Sequence, residues 1–223
     1  MQFDFGFASV ETPPRRVASR AKHAPRPAAQ QFEFPGFDHL QQHSFYFAVV
    51  LDGSIAAIVD QVRRGIAERS GFEGVLDDPM HLHVALLCLC RRSGKPLSIE
   101  LEQAAVEAAR SVRMSPFEVT LDRAMSFGKP GEQTSGRRPV VLKAHGGEAL
   151  RALHERLHGG LERARIVGGR PYAFMPHVTL FQHAASVEEV VPCIKWDVRE
   201  FRLIHSLHGK SQHRVVASFP LRT

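Results

Sequence analysis

The chain has 223 residues, of which 43% are hydrophobic, and its formal net charge is +6. This length suits one sizeable domain or two small lobes. No stretch is long and apolar enough to cross a membrane, and the N-terminus lacks the hydrophobic core of a signal peptide. The three cysteines form no disulfide-framework pattern, so we expect reduced thiols and a cytoplasmic protein. The basic balance is compatible with a polyanionic partner such as RNA, although a basic tail would account for part of it equally well.

Residues 1–43 differ in composition from the rest of the chain. They hold five prolines and five lysines or arginines, together with two Phe-rich patches at 3–7 and 32–34. A segment of this composition buries little surface, so we expect a mobile basic extension. Its Phe patches could dock on the body of the protein or recruit a protein partner.

The body of the chain then alternates strand and helix signals. An apolar run predicts a strand over 45–51, and a helix with regularly spaced apolar residues follows Asp52. A second strand is predicted over 81–90, followed by a loop and a helix capped by Ser98. The three cysteines form no disulfide-framework pattern, so we expect Cys88 and Cys90 to be reduced thiols on the apolar face of that strand.

The second half of the body repeats this alternation. A strand over 117–121 precedes a Gly/Pro-rich basic loop over 126–138. The elements predicted after it are a strand over 139–143, a helix with Leu150, Leu153, Leu157 and Leu161 on one face, a strand over 174–182, and two final strands over 197–204 and 213–219. Strand, helix and strand thus occur twice, which predicts two similar α+β lobes that share a cleft.

The two middle strands carry nearly the same motif. One reads His81-Leu82-His83-Val84-Ala85-Leu86 and the other reads Met175-Pro176-His177-Val178-Thr179-Leu180. Because side chains alternate along a strand, His83 and Ala85 share one face, as do His177 and Thr179, while the aliphatic neighbours point into a core. Two imidazoles presented to one cleft are what a reaction with one acid and one base requires.

These motifs resemble the paired His-x-Thr signatures of the two-histidine phosphoesterases. The chain is most similar to the bacterial RNA 2′-5′ ligase and cyclic phosphodiesterase branch of that group, over about 45–220. Further residues typical of this branch are Phe45-Tyr46-Phe47-Ala48, Leu121-Asp122 before Phe127-Gly128, and the whole run Phe174-Met175-Pro176-His177-Val178-Thr179-Leu180.

The resemblance implies an α+β, bilobal fold over 44–223, with two pseudo-symmetric lobes of antiparallel β-sheet, helices on the outside and a central cleft. It implies a metal-independent hydrolase, without a cofactor, that opens 2′,3′-cyclic phosphate RNA ends or related cyclic nucleotides to 2′-phosphates. Some members also join RNA ends through a 2′-5′ bond. We expect a monomer that binds RNA ends or cyclic nucleotides and no membrane.

The same resemblance assigns roles to individual residues. The catalytic set is His83, His177 and Thr179, with His177 activating water, His83 protonating the leaving oxygen, and Thr179 donating to a phosphate oxygen; the two histidine roles could be reversed. The residues predicted to bind substrate are Ala85, His81, Arg170, Tyr172, Gln182 and Phe127.

Two positions depart from the pattern of the family. Ala85 stands where the first motif usually has Thr, and Gln182 stands near a position usually occupied by a basic residue. The first departure removes a hydroxyl that could bond a phosphate oxygen, and the second removes a charge. The acid/base pair itself is intact.

Several alternatives remain open at this stage. His81, two residues before His83 on the same predicted strand face, either assists phosphate binding or is a strand-end histidine. His81-x-His83 also has a spacing used by zinc sites, although no third ligand is evident nearby. The leading hypothesis is the cyclic phosphodiesterase. Its first alternative is a degenerate member that binds RNA or a nucleotide without turnover, and its second is an interaction protein that recruits partners through 1–43.

Overall fold

The computed structural model describes residues 42–128, 137–169, 173–208 and 212–223. Within these ranges the strands are β1 (Gln42–Val50), β2 (His83–Ser93), β3 (Phe117–Ser126), β4 (Arg138–His145), β5 (His177–His183), β6 (Glu188–Val198), β7 (Glu200–His208) and β8 (Gln212–Pro220). The helices are α1 (Gly53–Arg69), α2 (Ile99–Arg110) and α3 (Glu148–Arg163), with a 3₁₀ turn over Pro79–His81. The extension predicted over 1–43 lies outside the described residues, except for 42–43, which begin β1.

The starts of two helices follow from side-chain caps. The Asp52 carboxylate accepts the backbone N–H groups of Ser54 and Ile55, each at 3.0 Å, and so begins α1. The Ser98 hydroxyl oxygen accepts the N–H of Leu101 at 3.2 Å and begins α2 as predicted.

All eight described strands form one antiparallel sheet in the order β6-β3-β4-β5-β2-β1-β7-β8. The sheet consists of two four-stranded halves that meet where β2 pairs with β5. The halves have equivalent topology, since strand–helix–strand units (β1-α1-β2 and β4-α3-β5) supply the inner strands of each. This confirms the predicted pair of pseudo-symmetric antiparallel lobes. The C-terminal strands β7 and β8 return to the half that contains β1 and β2, so that half is discontinuous in sequence, whereas the half made of β3 to β6 is continuous.

The core lies between the helices and one face of the sheet. Leu82, Val84 and Leu86 are at most 4% exposed, and so are Val178 and Leu180 in the second motif. The leucines predicted to share one face of α3 are fully buried in the same cluster. The aliphatic residues of both motifs therefore point into the core as predicted, which leaves the opposite face for the histidines.

Two sequence predictions about this sheet are wrong. Strand β6 was not predicted, and the strand expected over 197–204 spans the end of β6 and most of β7. The reason is that β6 is an edge strand with alternating charged residues and Pro192, which lies where its pairing with β3 is interrupted. Proline and charge are common on edge strands, which need pair on one side alone, and they make such strands look like loops in a sequence.

The expected burial of the cysteines is also wrong. Cys88 is exposed and Cys90 is half-buried. The cause is a bulge in β2, because Phe47 pairs with Leu87 while the next residue of β1, Ala48, pairs with Ala85. Leu86 is therefore an extra residue, and both Leu86 and Leu87 are buried. The residues after the bulge consequently exchange faces, which carries Cys88 out of the core.

Candidate active site

The junction of the two halves brings the two histidine motifs together. Val84 of β2 pairs with Val178 of β5 in an antiparallel register. Continuing that register by one residue on either side sets His83 opposite Thr179 and Ala85 opposite His177, on the face away from the core. His83 and His177 are then diagonal neighbours, and in a regular ladder such residues are roughly 7–8 Å apart. That separation leaves room for one phosphate group between two imidazole rings.

Each histidine is oriented by the same type of hydrogen bond, from its ring to the backbone carbonyl two residues before it. Nδ1 of His83 donates to the carbonyl oxygen of His81 at 2.6 Å, and Nδ1 of His177 donates to that of Met175 at 2.7 Å. A carbonyl oxygen accepts only, so Nδ1 carries the proton in each ring. Proton exchange at either histidine is therefore left to Nε2, which points away from the backbone.

The electrostatics of the cleft favour the neutral form of each ring. Burial lowers the pKa of His83, and the nearby His177 lowers it further, although the bond to the His81 carbonyl opposes the shift. Burial also lowers the pKa of His177. The effect of His177 on the pKa of His83 follows from like charge, because protonating one imidazole makes protonation of its neighbour less favourable.

An aromatic ring packs against each histidine. Tyr46 of β1 stacks on His83 with ring centroids 5.1 Å apart, and Phe127, just after β3, meets His177 edge-on at 4.6 Å. Burial raises the pKa of Tyr46 to about 12, so its hydroxyl stays protonated at neutral pH. Phe127, expected to bind substrate, is thus in contact with a catalytic candidate. Tyr46 was named only within the family-typical run 45–48 and was given no role in the site.

A cavity of about 490 Å³ opens beside His83 and is also lined by Thr179, Gln182 and Arg137. His177 is not among the lining residues, although it shares a face of β5 with Thr179, two residues away. Gln182 reaches this cavity because β5 has a bulge equivalent to that of β2. Val140 pairs with Phe181 and Val141 with Thr179, so Leu180 is the extra residue.

His81 does not lie in the strand, which corrects the expectation that it shares a strand face with His83. It ends the 3₁₀ turn, where Pro79 occupies the first position and the Asp78 carboxylate accepts the N–H of Met80 at 2.8 Å. Its ring packs on that of His213 from β8, with centroids 4.1 Å apart. Both rings line the cavity, and His213 lies 6.1 Å from His83 between centroids.

The buried side chain of Arg63 fixes the segment that leads into this turn. It is 1% exposed, forms an ion pair with Asp60 on α1, and donates to the carbonyl oxygen of Asp77 at 2.7 Å. Asp78, the next residue, caps the 3₁₀ turn whose carbonyl at His81 orients His83. Arg63 therefore connects α1 to the position of a catalytic candidate, and nothing in the residues around it in the chain indicated this role.

The remaining predicted site residues have different outcomes. Ala85 is exposed on the cleft face and presents no hydroxyl there. Arg170 and Tyr172 lie outside the described residues.

Within the described ranges, no three His, Cys, Asp or Glu side chains are grouped so that they could hold a metal ion. None of the helices described is long and apolar enough to span a membrane.

Comparison with known proteins identifies the family and supports the fold. The family model described as the 2′-5′ RNA ligase superfamily matches residues 54–210. Among solved structures, apo LigT of E. coli is 22% identical, with a TM-score of 0.62 over 82% of this chain and 99% of that chain. TT0787 of Thermus thermophilus is 23% identical, with a TM-score of 0.63 over 80% and 98% of the two chains.

A third structure, described as a phosphoesterase, is 24% identical, with a TM-score of 0.59 over 82% of this chain and 99% of that chain. No curated protein matches in sequence. At these identities the solved structures establish a common fold, and the family model establishes common descent over most of the chain. The chain belongs to the 2′-5′ RNA ligase superfamily.

Proposed function

We propose that this protein is a cyclic phosphodiesterase that opens 2′,3′-cyclic phosphates at RNA ends, or in related nucleotides, to 2′-phosphates. The observation that carries the proposal is the equivalent placement of His83 and His177, whose Nδ1 atoms are both held by backbone carbonyls. Each Nε2 atom is thus left for proton transfer, and the two rings are carried by the paired strands β2 and β5. Membership of the superfamily supports a phosphoesterase-type function for such a pair.

The reaction assigns one proton transfer to each ring. The Nε2 atom of neutral His177 takes a proton from water while the water oxygen bonds to phosphorus. The bond from phosphorus to O3′ breaks, and protonated His83 gives its Nε2 proton to that oxygen, leaving a 2′-phosphate and a free 3′-hydroxyl. Each proton transfer contributes about 10²- to 10⁴-fold in rate. His177 then releases its proton to solvent and His83 regains one.

The same geometry is compatible with 2′-5′ ligation. A 5′-hydroxyl of a second strand replaces water as the entering group, and the phosphorus–O3′ bond breaks as before. His177 and His83 transfer the same protons in both reactions. Ligation and hydrolysis therefore differ only in whether a 5′-hydroxyl or a water molecule attacks phosphorus.

The phosphate oxygens need donors of their own. Thr179 lies opposite His83 and lines the cavity, so its hydroxyl is placed to donate to a non-bridging oxygen. Gln182 offers an amide N–H group in the same cavity. Arg137, which also lines it, supplies a positive charge. E. coli LigT has been crystallised with ATP, with 3′-AMP and with phosphate, which supports nucleotides and phosphate as the ligand class.

A second candidate function is nucleotide or RNA binding without turnover. It is favoured by Ala85, which leaves the position opposite His177 without a hydroxyl, and by Gln182, which is uncharged. Under this alternative the cleft retains the affinity for phosphate that Thr179 and Arg137 provide, but the protein does not turn over the cyclic phosphate.

The identity of the product tests the proposal. A short RNA ending in a 2′,3′-cyclic phosphate is incubated with the protein in the presence of EDTA, and the terminus is assigned by phosphorus NMR. We expect a 2′-phosphate. A 3′-phosphate would contradict the assignment of O3′ as the leaving oxygen. An unchanged cyclic end that nevertheless binds the protein would favour the alternative.

A further inference from the structure

A second cavity of about 200 Å³ adjoins the catalytic cleft. It is lined by Val50, Met80, His81, Arg202, Ile204, His213 and Val215. It shares the His81–His213 ring pair with the larger cavity that holds His83 and Thr179. Residues His83 and Val50 pair across β1 and β2, so the floor of the second cavity is the sheet face that carries His83. The two cavities are therefore neighbouring compartments on one face of the sheet.

The walls of this second cavity are apolar and aromatic. Ile204 is 3% exposed and forms the floor, whereas Met80 and Val215 are 56% and 46% exposed and form the rim. The rings of His81 and His213 complete one side. Exposed aliphatic side chains beside aromatic rings, in a cavity of this size, suit a flat and largely uncharged group.

The guanidinium that lines this cavity has a carboxylate partner. Arg202 lines it, but its guanidinium donates from Nε to the carboxylate of Glu200 at 2.6 Å. The ion pair offers hydrogen-bonding groups at the edge of the cavity with little net charge. A second phosphate would gain little here, whereas the edge of a heteroaromatic ring can use donors and acceptors together.

We propose that this cavity binds the nucleobase of the terminal nucleotide, the one whose cyclic phosphate reacts. The inference rests on the proposed function, and it follows from the position of His83. If His83 protonates O3′, the ribose that bears O3′ must lie on the His83 side of phosphorus. The base of that ribose then projects over β1, β7 and β8, where the second cavity lies. His213 is thus a specificity-determining residue.

Two RNA substrates test this site, one with a normal adenine at the cyclic terminus and one with an abasic terminal ribose. Stacking of a base on an aromatic wall predicts that the wild-type protein prefers the adenine substrate roughly five- to hundred-fold in kcat/KM. Val215→Trp, which fills the cavity, should bring that ratio close to one. The matched control is Val190→Trp, at a position that is 78% exposed on the opposite edge strand β6, and it should keep the wild-type ratio.

Substitutions of His213 distinguish stacking of the base on an aromatic ring from contact with any side chain of similar volume. His213→Leu should lose most of the preference for adenine, and His213→Phe should keep it because the ring is retained. Thermal unfolding of each variant checks that the fold is intact. Equal behaviour of Val215→Trp and Val190→Trp, or of His213→Leu and His213→Phe, would overturn the assignment.

A binding assay keeps this inference separate from the proposed reaction. The probe is 2-aminopurine riboside 2′-phosphate, whose fluorescence is quenched when its base stacks. We expect saturable quenching by wild type, by Val190→Trp and by His213→Phe, and weaker binding by Val215→Trp and His213→Leu. If no cyclic phosphate is turned over but this pattern holds, the base site stands and the proposed function fails. Turnover without base preference or quenching would overturn the base site alone.

Discussion

His83 and His177 leave the same atom, Nε2, for proton exchange, because each donates from Nδ1 to the carbonyl two residues before it. The pair is close to symmetric in its bonding but not in its surroundings. Thr179 lies opposite His83, whereas Ala85 lies opposite His177, and the second cavity adjoins the His83 side of the cleft. This asymmetry gives a physical basis for different roles in one reaction.

The assignment of acid and base predicts an effect of the leaving group. With a cyclic or RNA phosphodiester, His83→Ala and His177→Ala should each lower kcat by about 10²- to 10⁴-fold. A p-nitrophenyl phosphodiester leaves as a stable anion and needs no proton, so His83→Ala should retain most of the wild-type rate on that substrate. His177→Ala should stay slow.

The matched control for this comparison is His145→Asn. His145 is an exposed histidine at the end of β4 that lines neither cavity, so both substrates should be turned over within a few-fold of wild type. If the p-nitrophenyl ester rescued His177→Ala instead, the two roles would have to be exchanged.

The pH dependence of the reaction should reflect the lowered pKa values of both histidines. The base must be neutral, so activity rises as pH increases through the pKa of His177. The acid must be protonated, so activity falls as pH increases through the pKa of His83. Both values lie below the ordinary 6.5, which predicts a bell-shaped profile with its maximum on the acidic side of that value. A kcat/KM that stayed level from about pH 6.5 to about pH 9 would contradict this.

Restoring the hydroxyl that the first motif lacks should increase activity. Ala85→Thr places a donor opposite His177, where it can bond a non-bridging phosphate oxygen in the transition state. One additional hydrogen bond of about 1 kcal/mol predicts roughly a five-fold rise in kcat/KM. Ala85→Val has the same shape without the hydroxyl and serves as the control. Equal effects of Thr and Val would mean that packing, not a hydrogen bond, determines the change.

Arg63 should matter more than its neighbour Arg64, although both bond the carboxylate of Asp60. Arg63 is 1% exposed and holds the Asp77 carbonyl, whereas the Arg64 side chain is 64% exposed. Arg63→Leu should therefore lower the free energy of unfolding by roughly 2 kcal/mol, because it removes a buried guanidinium together with its ion pair to Asp60 and its hydrogen bond to the Asp77 carbonyl. Arg64→Leu should change it by about 0.5 kcal/mol or less. Urea denaturation of both variants gives the comparison, and equal losses would exclude a special role for Arg63.

Much of the fold was predictable because its signals are local. The strand–helix–strand units show alternating and helical periodicities, and the leucines of α3 are buried as their spacing indicates. The faces of His83 and His177 followed from the alternation of side chains. Strand β6 was missed because charged residues and Pro192 disguise an edge strand, whose stability comes from pairing with β3, far away in sequence.

The parts of the site that the sequence analysis missed depend on long-range contacts or on bulges. His213 of β8 and Tyr46 of β1 contact His83, and the residues around them in the sequence do not predict these contacts. The bulges at Leu86 and Leu180 leave a signal in retrospect. Each motif ends in two consecutive buried apolar residues, where strict alternation would put one of them in solvent.

The most direct test of the central claim is single-turnover cleavage of an RNA ending in a 2′,3′-cyclic phosphate. Wild type, His83→Ala and His177→Ala are each mixed in excess over the RNA, with EDTA present throughout. We predict a 2′-phosphate product from wild type and loss of about 10²-fold or more in each variant. Retention of near wild-type rates by either variant, with the RNA still bound, would contradict catalysis by the two-histidine pair.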